Sequence, residues 1–146
     1  MELKVATKED MDELIILLNT LFSQEVEFEP NKLVQEKGLM MILEDESIGH
    51  ILVAKDENKI CAMVNLLYTV STALGSKVAI LEDMIVLDEY RNKGYAMTLS
   101  VSLIKILRTM GEVPFVHIEP QNYQSMNLAL KAGFQKDRMI NWFEFK

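Results

Sequence analysis

The stretch from Glu82 to Ala96 constrains the fold of this 146-residue chain more than any other. It has the pattern of an apolar strand, a short polar turn, and a glycine that opens a long amphipathic helix. The first amides of such a helix have no intrahelical acceptor, and its dipole is positive at this end. The sequence therefore predicts a phosphate site at this turn, beside the carboxylates of Glu82 and Asp83.

Composition limits the partners and the compartment. The chain has 22 acidic and 15 basic side chains and a net charge of −7, which argues against nucleic acid or an anionic membrane as a partner. Cys61 is the single cysteine and lies among apolar residues, so we expect a buried thiol, no disulfide and no metal site. The sequence lacks a run of transmembrane length and a signal-peptide pattern, so we expect a cytoplasmic protein.

Hydrophobic periodicity predicts one α/β domain over residues 1–146, with a mixed sheet and helices on both of its faces. Thr7 is expected to cap the first helix, with Asp10 at the capping-box position, and Pro30 or Asn31 to begin the second. Three strands with short connections predict an antiparallel meander. The predicted strands are 3–6, 51–54, 60–70, 78–87, 113–119 and 139–145, and the later helices start at Gly94 and at Asn122.

The turn itself, Arg91 to Ala96, fits the pattern R-x-x-G-x-A. Gly94 permits a backbone geometry and a close approach that a Cβ would obstruct, and Ala96 is small enough for tight packing. The stretch lacks the Gly-Lys-Ser/Thr ending of a Walker A loop and does not fit G-x-G-x-x-G. A Rossmann unit is also excluded by the strand order, because the meander precedes the glycine turn.

Residues 81–96 and 122–134 together resemble the GNAT family of N-acetyltransferases. The first stretch is similar to the fourth strand and pyrophosphate loop of that family, R/Q-x-x-G-x-G/A. The second is similar to its segment N-x-x-(A/S)-x-x-L-Y-x-x-x-G-F, and the matching residues are Asn122, Ser125, Leu128, Gly133 and Phe134. The order of elements also matches, so the resemblance covers nearly the whole chain.

The resemblance implies that acetyl-CoA is the cosubstrate. The main chain of residues 84–86 would pair with the pantetheine arm, as an added strand does. Backbone amides of residues 92–97 would hold the pyrophosphate, and the Asn122 side chain would contact the arm. The cofactor residues implied are Met84, Ile85, Val86, Arg91, Asn92, Lys93, Gly94, Tyr95, Ala96, Met97 and Asn122.

In this family the acetyl group passes directly to an amine, and a base must first deprotonate the ammonium. Glu82 lies where many members have a glutamate that does this; the alternative is a carboxylate that only lines the cleft. His117 is either a second catalytic group or a hydrogen-bonded strand histidine, on one strand face with Glu119. Because the fourth and fifth strands of the family splay apart, Glu82 and His117 are expected to face one cleft, whereas Asp83 is expected on the other face with a structural role.

One position departs from the family pattern. The family's general-acid tyrosine is replaced by Ala129, and Tyr68, Tyr90 and Tyr95 are the candidates to substitute for it. A thiolate with a pKa of about 8.5 can also leave without a proton donor. Two functions stay open: an N-acetyltransferase for a small-molecule or peptide amine, and an acyl-CoA-binding module that has lost transfer and serves regulation or assembly.

Two further segments bear on partners. Glutamates alternate through residues 25–29, which indicates either a solvated edge or a rim that attracts a cationic acceptor. The aromatic segment 142–145 predicts either a core strand or pairing across a homodimer.

Overall fold

The computed structural model describes residues 1–24, 30–141, 143 and 145. Its described residues form five strands and four α-helices, with short 3-10 turns at Lys8–Asp10 and Asp88–Tyr90. The strands are β1 (Glu2–Val5), β2 (Gly49–Asp56), β3 (Lys59–Ser71), β4 (Ser76–Val86) and β5 (Val113–Val116). The helices are α1 (Met11–Phe22), α2 (Lys32–Glu44), α3 (Tyr95–Thr109) and α4 (Tyr123–Ala132).

The strands lie in the sheet in chain order, β1 to β5. The first four are antiparallel to one another, and β5 is parallel to β4, so the predicted meander and mixed sheet are confirmed. Helices α1 and α2 pack on the face that carries Ile51, Val53 and Met63, and α3 packs on the face that carries Leu52 and Val64. The predicted cover of helices on both faces is therefore also correct.

Hydrogen bonds confirm the predicted starts of two helical segments, but the first segment is a 3-10 turn. The amide of Thr7 donates to Oδ2 of Asp10 at 2.8 Å in the expected capping box, which begins the turn Lys8–Asp10, whereas the cap residue of α1 is Asp10. Oδ1 of Asn31 accepts from the amide of Val34 at 3.2 Å and so begins α2. Gly133 ends α4 with a φ of 103°, a left-handed conformation that favours glycine.

The two last predicted strands differ from the structure. β5 ends at Val116, not at residue 119, because its pairing partner β4 bulges just past this point and a bulge bends the strand. Met139, Ile140 and Asn141 lie in no strand, and Phe143 and Phe145 are almost fully exposed, so the expected core strand is wrong for these residues. Aromatic composition favours a strand, but a strand also needs a partner edge, and β5 offers only four residues. Residues 142, 144 and 146 lie outside the described residues, as does the glutamate stretch 25–29.

Cys61 is fully buried, as predicted, and its thiol donates to the carbonyl oxygen of Ala54 at 3.1 Å. Burial raises the pKa of this thiol, so it stays protonated and unreactive.

Candidate active site

The site begins with a bulge in β4. Val64 of β3 lies opposite two residues of β4, Asp83 and Met84, whereas the pairs on either side are one to one. Asp83 has a φ of 47°, in the left-handed region that only a few per cent of non-glycine residues adopt. The extra residue interrupts the alternation of side chains along the strand.

Because of the bulge, Glu82 and Asp83 lie on the same wall of a cleft. Glu82 pairs with Asn65 of β3, and Nδ2 of that asparagine donates to Oδ2 of Asp83 at 2.7 Å. Met84 packs against the core on the α3 face, although it also lines the cleft. The expectation that Asp83 points to the opposite face from Glu82 is therefore wrong, since strict alternation does not hold across a bulge.

The cleft occupies about 490 Å³ where β4 and β5 separate. Their parallel pairing runs from Val78 with Val113 to Leu81 with Val116 and goes no further. Its lining comes from the end of α1, from β4, α3 and α4, and from the end of β5 with the segment after it. The lining residues are Leu21, Phe22, Leu81, Glu82, Asp83, Met84, Ser100, Val116, His117, Ile118, Glu119, Asn122, Ser125, Leu128, Ala129 and Phe134.

The charge in this cleft is predominantly negative. Partial desolvation in the cleft raises the pKa of Glu82, the adjacent charge of Asp83 raises it further, and the charge of His117 lowers it. Burial also raises the pKa of Asp83, against the hydrogen bond from Asn65. None of the lining residues that the structure describes is a lysine or an arginine. A carboxylate with a raised pKa is a stronger base near neutral pH than an ordinary one.

The glycine turn at the start of α3 presents free backbone amides. Gly94 has a φ of 88°, and its carbonyl oxygen accepts from the amide of Thr98 at 2.9 Å. This is the first bond of the helical ladder, so the amides of Tyr95, Ala96 and Met97 in the first turn have no intrahelical acceptor. Asn92 is also left-handed, with a φ of 60°. Successive amides in such a turn form a concave anion site.

The main chain between the cleft and this turn has an open side. Ile85 and Val86 pair with Met63 and Ala62 of β3, whereas β5 has already diverged after Leu81. An extended ligand can therefore add to this side of β4 as a further strand does.

Comparison with known proteins identifies the family. A model described as the acetyltransferase (GNAT) family matches residues 11–134. The chain belongs to the GNAT acetyltransferase family. The comparison with curated protein sequences gives no match.

Solved structures share the GNAT fold at low sequence identity. A probable acetyltransferase is 21% identical, with a TM-score of 0.84, over 100% of this chain and 97% of its own. An aminoglycoside 6′-N-acetyltransferase from Acinetobacter haemolyticus is 18% identical, with a TM-score of 0.82, over 100% of this chain and 99% of its own. A ribosomal-protein-alanine N-acetyltransferase from Brucella melitensis biovar Abortus 2308 is 16% identical, with a TM-score of 0.79, over 99% of this chain and 100% of its own.

The structure places both catalytic candidates of this GNAT domain on the cleft. Glu82 is on β4, and His117 is in the segment after β5, followed by Glu119. Because β5 ends at Val116, the shared strand face expected for His117 and Glu119 does not exist, yet the cleft still brings them together.

Arg91 ties the GNAT loop to the strand before it. Its Nε donates to the carbonyl oxygen of Val86 at 3.2 Å, and its Nη2 reaches Oε1 of Gln24 and Oδ1 of Asp88, both at 3.1 Å. The guanidinium therefore fixes the turn against β4 and the end of α1. Lys93 lies over the ring of Tyr90, with Nζ 5.1 Å from the ring centroid.

Asn122 caps α4 and also lines the cleft. Its Oδ1 accepts from the amide of Ser125 at 3.0 Å, which leaves Nδ2 as the donor for a ligand.

The expected substitutes for the family tyrosine do not line the described cleft. Ala129 is on the cleft wall, but the hydroxyl of Tyr68 is paired with Nδ1 of His50 at 2.9 Å. Tyr90 and Tyr95 pack edge to face, with centroids 5.7 Å apart.

Sequence reasoning placed Asp83 on the wrong face and missed its partner Asn65. An Asp directly after Glu82 on a strand was the visible signal, but period-two alternation assigned it to the other face. Leu21 and Phe22 also line the cleft, although their helical spacing alone indicates core. Among the described residues, no helix has the length and apolarity needed to cross a membrane.

Proposed function

We propose that this protein transfers the acetyl group of acetyl-CoA to the primary amine of a cationic small molecule or to a peptide amino group, with Glu82 as the base. The observation that carries the proposal is that Glu82 lies in a cleft between β4 and β5 in the same strand that leads to the glycine turn of α3.

The residues present fit the coenzyme. Amides of Tyr95, Ala96 and Met97 would hold its pyrophosphate, at the positive end of α3. The open side of β4 would pair with the pantetheine arm, and Nδ2 of Asn122 would donate to it. When bound, acetyl-CoA supplies an activated thioester. Arg91 would support the site indirectly, because its guanidinium holds the turn in place.

Glu82 has the chemistry that the acceptor requires. An ammonium group has no free electron pair, so its proton must leave before the nitrogen can attack. Glu82 would take this proton, directly or through a water, and its raised pKa favours that role. His117, on the same cleft, would either share the proton or orient the acceptor.

The charge of the cleft favours a cationic acceptor. Glu82, Asp83 and Glu119 line it, and no described lining residue supplies a compensating lysine or arginine. The aminoglycoside 6′-N-acetyltransferase, a fold relative, acts on an acceptor of this class by its name. The ribosomal-protein-alanine N-acetyltransferase represents the peptide class by its name.

The test is coenzyme A release with acetyl-CoA and a panel of amines. The panel contains an aminoglycoside, a linear diamine, a peptide with an N-terminal alanine, and a monoamine with no other charged group. We expect thiol release and an acetylated product with at least one amine, fastest for a cationic one. Absence of turnover across the panel would contradict the transferase proposal.

Ala129 favours one alternative, a coenzyme-binding module without transfer activity. Its side chain lies on the cleft wall where the family pattern places a tyrosine. That module would be stabilised by coenzyme A, by about 2.7 kcal/mol at a hundred times the dissociation constant. It would release no thiol above the uncatalysed rate.

A further inference from the structure

The bulge in β4 carries a strained residue. Asp83 has a φ of 47°, a conformation that costs energy for every residue except glycine and least for Asn and Asp. Such a residue persists only where its surroundings hold it, and it is common at functional sites. The side chain that holds Asp83 is Asn65, whose Nδ2 donates to Oδ2 at 2.7 Å.

Asn65 is an unusual residue for its place in the sheet. It is 3% exposed, and its neighbours Met63, Val64 and Leu66 are buried and apolar. Its Oδ1 has no hydrogen-bond partner in the part of the chain that the structure describes. A buried amide with unused capacity lowers stability relative to an apolar residue of similar volume. An asparagine at this position is therefore explained by its hydrogen bond to Asp83 and not by packing.

We infer that Asn65 and Asp83 are positioning residues of the transferase site. The hydrogen bond between them holds the bulge of β4, and the bulge keeps the carboxylates of Glu82 and Asp83 on one wall of the cleft. This inference rests on the proposed function, in which Glu82 is the base.

The bulge affects the pKa of Glu82 by placing the charge of Asp83 beside it. The titratable groups that face it in the described cleft are Asp83, His117 and Glu119, while α1, α3 and α4 contribute uncharged residues. After partial desolvation, the charge of Asp83 is the second cause that raises the pKa of Glu82. In a strand without the bulge, alternation would place Asp83 on the opposite face and remove this effect.

Two variants separate the effect of the Asp83 charge from the effect of its hydrogen bond to Asn65. Asp83→Asn removes the charge and keeps an oxygen that accepts from Asn65, while Asn65→Leu removes the donor at similar volume. The pKa of the Glu82 carboxyl is measured by NMR titration of the free protein, and kcat/KM is measured against pH for the fastest amine of the panel. Circular dichroism and urea unfolding check that each variant is folded.

We expect Asp83→Asn to lower the pKa of Glu82 and to move the acidic limb of the pH profile to lower pH. We expect Asn65→Leu to lower the plateau kcat by about tenfold or more, with the affinity for coenzyme A unchanged. An unchanged pKa in Asp83→Asn, or a wild-type kcat in folded Asn65→Leu, would overturn the inference. If wild type turns over no amine but the NMR shift is present, the proposed function fails while the effect of Asp83 on Glu82 stands.

Discussion

The carbonyl oxygen of Gly94 accepts the first hydrogen bond of α3, 2.9 Å from the amide of Thr98. The residues between them belong to the first turn, and their amides have no acceptor within the helix. The glycine needed for this geometry has a φ of 88°, and a Cβ built on it would have no atom within 4 Å. Its conformation, and not crowding, is therefore what a substitution changes.

Gly94→Ala is expected to destabilise the protein by about 1–2 kcal/mol, the cost of a left-handed alanine. It should also weaken coenzyme A binding, because the turn would relax and misplace the amides. Urea unfolding and calorimetric titration measure the two effects. The matched control is Gly38→Ala, inside α2 with open space around its Cβ, which should stabilise by about 0.5–1 kcal/mol. Equal stability changes for the two variants would contradict this account.

Gly49→Ala is expected to destabilise through crowding. A Cβ at Gly49 would lie 2.1 Å from the carbonyl oxygen of Leu66, which is fixed in β3. Relief requires movement of the backbone in the centre of the sheet, and overpacking of this kind costs about 1–3 kcal/mol. Urea unfolding measures the loss; a change below about 0.5 kcal/mol would show that the strands are not packed this closely.

Asp10→Asn tests the ion pairs that join α1 to the sheet. Burial would raise the pKa of Asp10, but hydrogen bonds from Lys4, the Thr7 amide and Lys55 outweigh it and lower the pKa from 3.8 to about 2. Both lysines reach solvent, and screening weakens such ion pairs, so we expect Asp10→Asn to lower the free energy of unfolding by about 1 kcal/mol.

The lowered pKa of Asp10 decides how its contribution to the free energy of unfolding depends on pH. The contribution of Asp10 is fully present above pH 4 or so, the unfolded value, and is lost as the pH falls through about 2. Urea unfolding at pH 7 should separate wild type from Asp10→Asn, and the difference should shrink toward pH 2. Glu44→Gln, which breaks the exposed pair with Lys8, is the control and should change stability by less than about 0.5 kcal/mol. A constant difference across this pH range would contradict the assignment.

Ala129→Tyr tests whether the cleft lacks a general acid. A hydroxyl at this position would protonate the leaving thiolate, and a positioned acid typically contributes about 10²–10⁴-fold. Because the thiolate is already a good leaving group, we expect a rise in kcat of about tenfold. Ala129→Phe has the same ring without the hydroxyl and should show no rise. The comparison of kcat between the two variants isolates the hydroxyl, and equal values would show that proton donation does not limit the rate.

Sequence periodicity predicted most of the fold because each signal is local. The apolar stripe of α1, the asparagine caps of α2 and α4, and Gly94 and Gly133 at helix ends are all readable from a few neighbouring residues. The aromatic segment misled at its described residues, 139–141, 143 and 145, because strand formation depends on a partner edge, which composition does not contain.

The site was predictable only in part for a related reason. Glu82 and the glycine turn stand in recognisable motifs, whereas the bulge that turns Asp83 toward the cleft depends on a bond to Asn65, 18 residues earlier. Strict alternation along a strand assigns consecutive residues to opposite faces and does not account for the extra residue of a bulge. The end of β5 at Val116 follows from the same bulge and was missed with it.

The most direct test of the central claim is the activity of Glu82→Gln with the fastest amine of the panel. We expect kcat/KM to fall by about 10²–10⁴-fold, since a glutamine accepts no proton, while the dissociation constant for coenzyme A stays within about twofold. Glu2→Gln, an exposed glutamate on β1 at the sheet edge away from β5, should keep wild-type activity. A Glu82→Gln variant as active as Glu2→Gln would show that Glu82 is not the base.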